Sequence, residues 1–393
     1  MHARVLTPES SVRGRQNEYS KKVHDLHMIE GWWWDAAGFQ PRPDQPVSPG
    51  SPAVPYIWKW SDVGPLVEEM GDPSLGVGLG QGAKKAERRV LVLRNPGLGG
   101  KYAITSTLFG DLQIVKKGES APIHRHTTTA IRFIFSGAGG WTTVEGERAD
   151  MLPGDVIINQ PLGWHDHGND GPDDCILFDI LDIPLLTSLT TACWDFDYVK
   201  VTGDKNRTDQ ALRWPLNYSN NLYQTGGIIP KFVGSSRPDR SPMLSYKWQA
   251  IRDSLNRLRS EEGSAYDGIL VELSNPATGQ SATPTMSICA QLLRPGEKTL
   301  SHRENINTIY IVAEGEGCTQ VSDTRIDWSR NDIFAVPSWH WHHHENVSQK
   351  DAVLYSVSDS PVMEKLGLYC ENRKTKDGGS EFLGWSAGQL VYK

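Results

Sequence analysis

The sequence predicts an all-β protein built from two double-stranded β-helix jelly-roll barrels, with a helical N-terminal segment and a connector helix between the barrels. Three observations carry that reading. Short apolar or alternating runs recur between turn residues, as in Leu112-Gln113-Ile114-Val115, Ile131-Arg132-Phe133-Ile134-Phe135 and Val156-Ile157-Ile158. The 38 Gly and 24 Pro supply the turns that such a chain needs. A pattern of histidines and glycines also recurs: the interval is 178 residues from His124 to His302, 178 from Gly137 to Gly315, and 177 from His165 to His342. A near-constant interval at three separate landmarks signals an internal duplication.

Taken in order, residues 1–97 read as an N-terminal extension and linker. They hold a polar stretch of helical character over 11–28, the cluster Trp32-Trp33-Trp34, and a Pro-rich run over 41–55. The first barrel occupies 98–195, and a connector follows over 196–265. There Leu244, Trp248, Ile251, Leu255 and Leu258 recur at helical spacing, so they form one apolar stripe. Ser241-Pro242 marks its start and Glu261-Glu262-Gly263 its stop. The second barrel takes 266–370, and 371–393 reads as a polar tail.

Lys+Arg number 40 against 47 Asp+Glu, and the net charge of −7 leaves no basic footprint for nucleic acid. No apolar run approaches the roughly 18 residues of a membrane span, and the N-terminus lacks a signal-peptide core. The expectation is a cytoplasmic protein with neither nucleic-acid nor membrane partners. Its five cysteines are odd in number and show no Cys-x-x-Cys spacing, which favours free thiols.

The chemistry is concentrated in the histidines. His124 and His126 stand at i and i+2 on a predicted strand, so their imidazoles leave the same face, and His165 from a neighbouring strand completes a three-histidine metal site. Gly118, His124, His126 and Gly137, then Gly154, His165 and Asn169, have the spacing of the two cupin motifs, and the duplicated chain thus reads as a bicupin. Cupins often carry a glutamate ligand seven residues before the first motif's closing glycine. Here Ala130 holds that position. A divalent ion bound by neutral imidazoles alone keeps a charge of +2 and attracts an anionic, bidentate substrate. In the second copy His302, Glu304 and His342 retain a two-His, one-carboxylate set, but one imidazole is lost and Asn331 replaces the motif glycine. That barrel reads as degenerate, kept for packing and assembly.

Seven segments in order extend the likeness beyond a bare cupin motif. They include Ile57-Trp58-Lys59-Trp60-Ser61-Asp62-Val63, Ala86-Glu87-Arg88-Arg89-Val90-Leu91, Ala121-Pro122-Ile123-His124-Arg125-His126, Gly163-Trp164-His165-Asp166-His167-Gly168-Asn169 and Leu181-Asp182-Ile183-Pro184. In these the chain resembles the bicupin gentisate, salicylate and 1-hydroxy-2-naphthoate dioxygenases. The resemblance implies a homotetrameric Fe(II) enzyme that uses O2 to open a small aromatic carboxylate between the carboxyl-bearing and the adjacent hydroxyl-bearing carbon.

On that reading Arg132, six residues beyond His126, shares the ligands' face on an uninterrupted strand and clamps the substrate carboxylate with its planar fork. Arg88, of the Arg88-Arg89 pair, is a second clamp, and His167, in strand parity with His165, is the general acid/base. Gln113 and Asp179 match family positions that line the pocket or orient the ligands. Where the family commonly has Tyr-Ala-Gly-Leu-Gln, this chain has Phe109-Gly110-Asp111-Leu112-Gln113, and Ile180 replaces a glycine. Asp111 places a carboxylate near the pocket, which points toward a ring bearing an amino group or another donor. Two other classes fit a bicupin: a non-catalytic storage or sensor protein, and a Mn-dependent decarboxylase. The latter wants a glutamate where Ala130 and Thr308 stand.

Overall fold

The computed structural model describes residues 18–28, 34–35, 38–39, 48–75, 89–203, 210–233, 240–386 and 389–391. Residues 1–49 form one unit, in which 18–25 are helical and Trp34–Asp35 pairs with Gly38–Phe39. Trp32 and Trp33 lie outside the described residues. Everything from 50 onward is a second unit, which contains both barrels.

Each barrel is two facing antiparallel sheets. In the first, a six-stranded sheet is ordered Ser245–Tyr246, Val156–Asn159, Ala130–Ser136, Cys175–Leu181, Phe109–Val115, Val90–Val92, opposite a five-stranded sheet containing Ser120–His126 and His165–Asn169. The second barrel repeats this, with Ile269–Glu272, Ser287–Leu293, Ala352–Ser358, Thr308–Glu314, Ile333–Val336 and Tyr56–Trp58 in its six-stranded sheet. Alternation along these strands has two apolar destinations. Ile134, Ile157 and Leu177 fill the interior of the first barrel, whereas Ile131, Phe133, Phe135 and Phe178 point outward. The outward set meets Ile288, Ile309, Ile311 and Tyr355 of the second barrel in one shared core, with Phe133 and Tyr355 ring centroids 5.1 Å apart. This burial on both faces is why the strands read as nearly continuous apolar runs.

The edges of these sheets are supplied crosswise. Tyr56–Trp58, ahead of the first barrel, pairs with Ile333–Ala335 of the second, and Ser245–Tyr246, ahead of the second, pairs with Val156 and Ile157 of the first. After each edge strand a Lys-Trp step opens a helix, Trp60–Met70 or Trp248–Leu258. Buried Asp332 accepts from the Trp60 amide at 2.7 Å, and buried Asp155 from the Trp248 amide at 2.9 Å, so a carboxylate of the opposite barrel caps each helix N-terminus. The connector helix therefore begins at Trp248 and not near Ser241. Leu244 lies outside the helix and packs in the first barrel's interior, and Leu258 is 40% exposed.

One further expectation gives way. The predicted polar tail is strand: Glu371–Lys374 pairs with His302–Glu304 and with Ser380–Ser386. The loss of the second motif glycine leaves its turn intact, because Asn331 adopts φ 69° where Gly154 has φ 89°, and Asn tolerates that region. All five cysteines are free, and among the described residues no helix is long and apolar enough to cross a membrane.

A pair of buried carboxylates ties the barrels together. Asp182 accepts from the Thr129 amide at 2.9 Å and from Thr285 Oγ1 of the second barrel at 2.6 Å. Asp359 does the reverse, accepting from the Asn307 amide at 2.8 Å and from Thr107 Oγ1 of the first barrel at 2.6 Å. Burial raises Asp182 to about 6, against the lowering effect of the hydrogen bonds from Thr285 and Thr129. A carboxyl held more tightly protonated in the folded state contributes stability below its unfolded value, near 3.9, which is lost as pH rises through about 6. Asp182→Asn removes that titration while keeping an acceptor. Its stability relative to the parent should rise between about pH 4 and about pH 6 and then level off in denaturant titrations; a pH-independent difference would contradict this.

Candidate active site

His124 and His126 emerge from strand Ser120–His126 on the inner face of the first barrel, and His165 opens the adjacent strand directly opposite His124. The intervening Arg125 points away, over the Trp164 ring at 4.5 Å and onto Asp195 at 2.9 Å. All three imidazoles are buried, and their ligating nitrogens lie within 4.8 Å of one another. Each Nδ1 is held by a main-chain carbonyl: His124 by Pro122 at 2.8 Å, His126 by Thr128 at 2.8 Å, His165 by Gly163 at 2.9 Å. Nδ1 is thereby the proton-bearing nitrogen and Nε2 the one with a lone pair to give, the arrangement that orients metal-binding histidines. Burial, the charges of His124 and His126, and then Arg132 hold His165 well below the ordinary imidazole range. Ala130, at the usual glutamate position, adds no carboxylate. The set fits one divalent ion bound by three neutral donors.

Arg132 reaches this cavity by a different route from the one expected. The strand is interrupted after His126 at Thr127-Thr128-Thr129, so Arg132 lies on Ala130–Ser136 in the opposite sheet. It faces the interior by parity with Ala130 and Ile134. Asp179, its cross-strand neighbour, accepts from Nε at 2.8 Å and Nη2 at 2.7 Å. Both groups are 3% exposed, and Nη1 is buried with no hydrogen-bond partner. Both Asp179 oxygens thus hold Arg132 in place.

Asp111 pairs with Asp179 on the next strand, is buried, and contributes to the field at Arg132. Gln113 follows on the same face, with its Oε1 buried and unpartnered. Phe109 sits with Ala130 and Leu181. His167 is fully buried in the same parity as His165, one bulge further along. Arg88 lies outside the described residues; its neighbour Arg89 is buried and pairs with Glu119 at 2.5 Å.

Two flanking aromatics escaped the sequence reading. Trp194 pairs with His126 through the short strand Trp194–Asp195, and Phe196 stacks on His124 with ring centroids 5.8 Å apart. Their signal was the alternation Trp194-Asp195-Phe196, which puts both rings on one side. In the second barrel, His302, Glu304 and His342 bring their ligating atoms within 4.8 Å as well. His302 Nδ1 lies 2.8 Å from Glu371 Oε1, and its Nε2 lies 3.9 Å from Asp267 Oδ1.

Residues 111–181 and 290–358 match the cupin domain family. The chain is 35% identical to a 5-aminosalicylate 1,2-dioxygenase of Comamonas sp, over 84% of either chain. It is 34% identical to gentisate 1,2 dioxygenase 1 of Aquipseudomonas alcaligenes, over 94% of this chain and 99% of that one. Among solved structures, salicylate 1,2-dioxygenase from Pseudoaminobacter salicylatoxidans as an adduct with gentisate superposes with a TM-score of 0.79 at 28% identity, covering 96% of both chains.

Removal of Asp179 tests the Arg132 pair. Asp179→Ala leaves a buried guanidinium uncompensated, a change that costs on the order of 3–5 kcal/mol. Chemical denaturation should register a loss of that size, and a parental midpoint would mean that Arg132 is compensated elsewhere.

Proposed function

Because this chain belongs to the gentisate, salicylate and 1-hydroxy-2-naphthoate 1,2-dioxygenases, ring-cleaving bicupin enzymes, we propose that its first barrel is an Fe(II) centre for a donor-substituted salicylate. Ring opening falls between the carboxyl-bearing carbon and the adjacent hydroxyl-bearing carbon, with O2 as co-substrate. The observation that carries this reading is the pairing of three carbonyl-anchored imidazoles with a buried arginine on the facing sheet that keeps Nη1 in reserve.

His124, His126 and His165 would hold the ion, which would supply a redox partner for O2 and a +2 charge for an oxyanion pair. Arg132 Nη1 donates to the substrate carboxylate, and Asp179 keeps the guanidinium from swinging away. His167 takes the proton released when the ring hydroxyl binds as phenolate. Asp111 accepts from an amino or hydroxyl group on the ring, a group that the relatives named for 5-aminosalicylate and gentisate both have on their substrates. Phe109, Trp194 and Phe196 shield the cavity, and Gln113 orients the bound ring through Oε1. Binding two reactants in one fixed geometry replaces a bimolecular encounter by a local one. Assembly as a cytoplasmic homotetramer belongs to the same proposal.

Three substitutions test it. His165→Ala should lose one equivalent of iron by elemental analysis of anaerobically loaded protein, and an undiminished iron content would refute the ligand assignment. Arg132→Lys keeps the charge but not the fork. Since a charge-assisted hydrogen bond is worth about 1.5–3 kcal/mol, kcat/KM in oxygen-uptake assays should fall at least tenfold with iron unchanged. Asp111→Leu should reduce kcat/KM for 5-aminosalicylate and gentisate by about tenfold more than for salicylate; equal losses on all three would remove Asp111 from substrate recognition.

A further inference from the structure

We propose that the second barrel holds its own divalent first-row transition ion, bound by Nε2 of His302 and His342 and by a carboxylate oxygen of Glu304, in a structural role. The three ligating atoms lie within 4.8 Å of one another. His302 and His342 are each 4% exposed, and Nε2 of both is buried with no hydrogen-bond partner. Their other nitrogens are occupied: His302 Nδ1 lies 2.8 Å from Glu371 Oε1, and His342 Nδ1 lies 3.2 Å from the His340 carbonyl. Both rings are therefore clamped from behind with Nε2 turned toward Glu304, whose carboxylate is itself held by the Tyr369 hydroxyl. Two imidazoles and one carboxylate on one face, with positions left open, suit a divalent ion such as Fe(II), Mn(II), Co(II) or Zn(II).

The surroundings differ from those of the first barrel at the clamp position. Tyr310 pairs with Phe334 and Ser356 just as Arg132 pairs with Ile157 and Asp179, so the clamp position carries a phenol. The Tyr310 ring stacks on Phe334 at 4.9 Å and meets His344 edge-on at 4.9 Å, where the first barrel has a guanidinium. An ion here offsets Glu304 and ties strand His302–Glu304 to His342–Glu345. Through Glu371 and Tyr369 the same clamp extends to the C-terminal strand.

The test uses full-length His165→Ala protein, stripped with chelator and titrated with Co(II). One equivalent should survive desalting by elemental analysis, visible absorption bands of nitrogen–oxygen coordination should appear, and the thermal midpoint should rise by several degrees. Glu304→Gln in that background should weaken Co(II) binding at least tenfold, and adding His342→Ala should abolish it. A folded His165→Ala protein that retains no Co(II), or one whose Co(II) content is unaffected by the Glu304 and His342 changes, overturns the proposal. If His165→Ala fails to fold, the Glu304→Gln/His342→Ala change is made in the otherwise unaltered chain, and a Co(II) content that does not fall by one equivalent is the overturning result.

Discussion

The back-to-back packing of the two six-stranded sheets is the constraint on which the other features depend. Each sheet must bury both faces, so its strands alternate between a private barrel interior and a core shared with the sibling barrel. That shared core fixes the barrels against each other and leaves the interior faces free to carry polar chemistry. Phe133 goes to the shared core and Arg132 to the cavity because they are neighbours on one strand. A slip of one residue would exchange them, placing a guanidinium among Ile288, Ile309 and Tyr355. Register and site are thus enforced by the same burial.

Crosswise exchange of edge strands and helices makes the arrangement reciprocal. An arm ahead of each barrel completes the other barrel's sheet, and Asp155 and Asp332 cap the helices so delivered. Asp182 and Asp359 repeat the exchange at the other end of the chain's duplicated unit. The true repeat therefore begins with the strand–Lys-Trp–helix arm and not at the first histidine motif. It was visible in Trp58-Lys59-Trp60 and Tyr246-Lys247-Trp248, but an interval of 188 residues between Trp60 and Trp248 departs from the 178 of the barrels and hides it.

Duplication followed by divergence produced opposite electrostatics in one geometry. Across the same ladder positions, Arg132, Asp179 and Asp111 correspond to Tyr310, Ser356 and Cys289. The first cavity keeps a paired arginine beside three neutral imidazoles and is suited to an anion. The second replaces one imidazole by Glu304 and adds Glu371 behind His302, so its charge is balanced from within. Asn331 retains the left-handed turn of Gly154, and the backbone frame of the second site survives although its motif looks broken.

The sequence by itself determined the bicupin architecture, the duplication and the three-histidine set, because these rest on patterns written directly in the chain: i and i+2 on one strand, spacings within single motifs, and their recurrence at a near-constant interval. The inward orientation of Arg132 was also legible, but the reason inferred for it was not the operative one. Only the tertiary structure decided that the chain breaks at Thr127-Thr128-Thr129 and that Arg132 faces the histidines from the opposite sheet. It also decided that Asp179 anchors Arg132 and that the C-terminal segment is strand. These are contacts between elements distant in the chain, fixed by which sheet faces meet, and no local pattern encodes them.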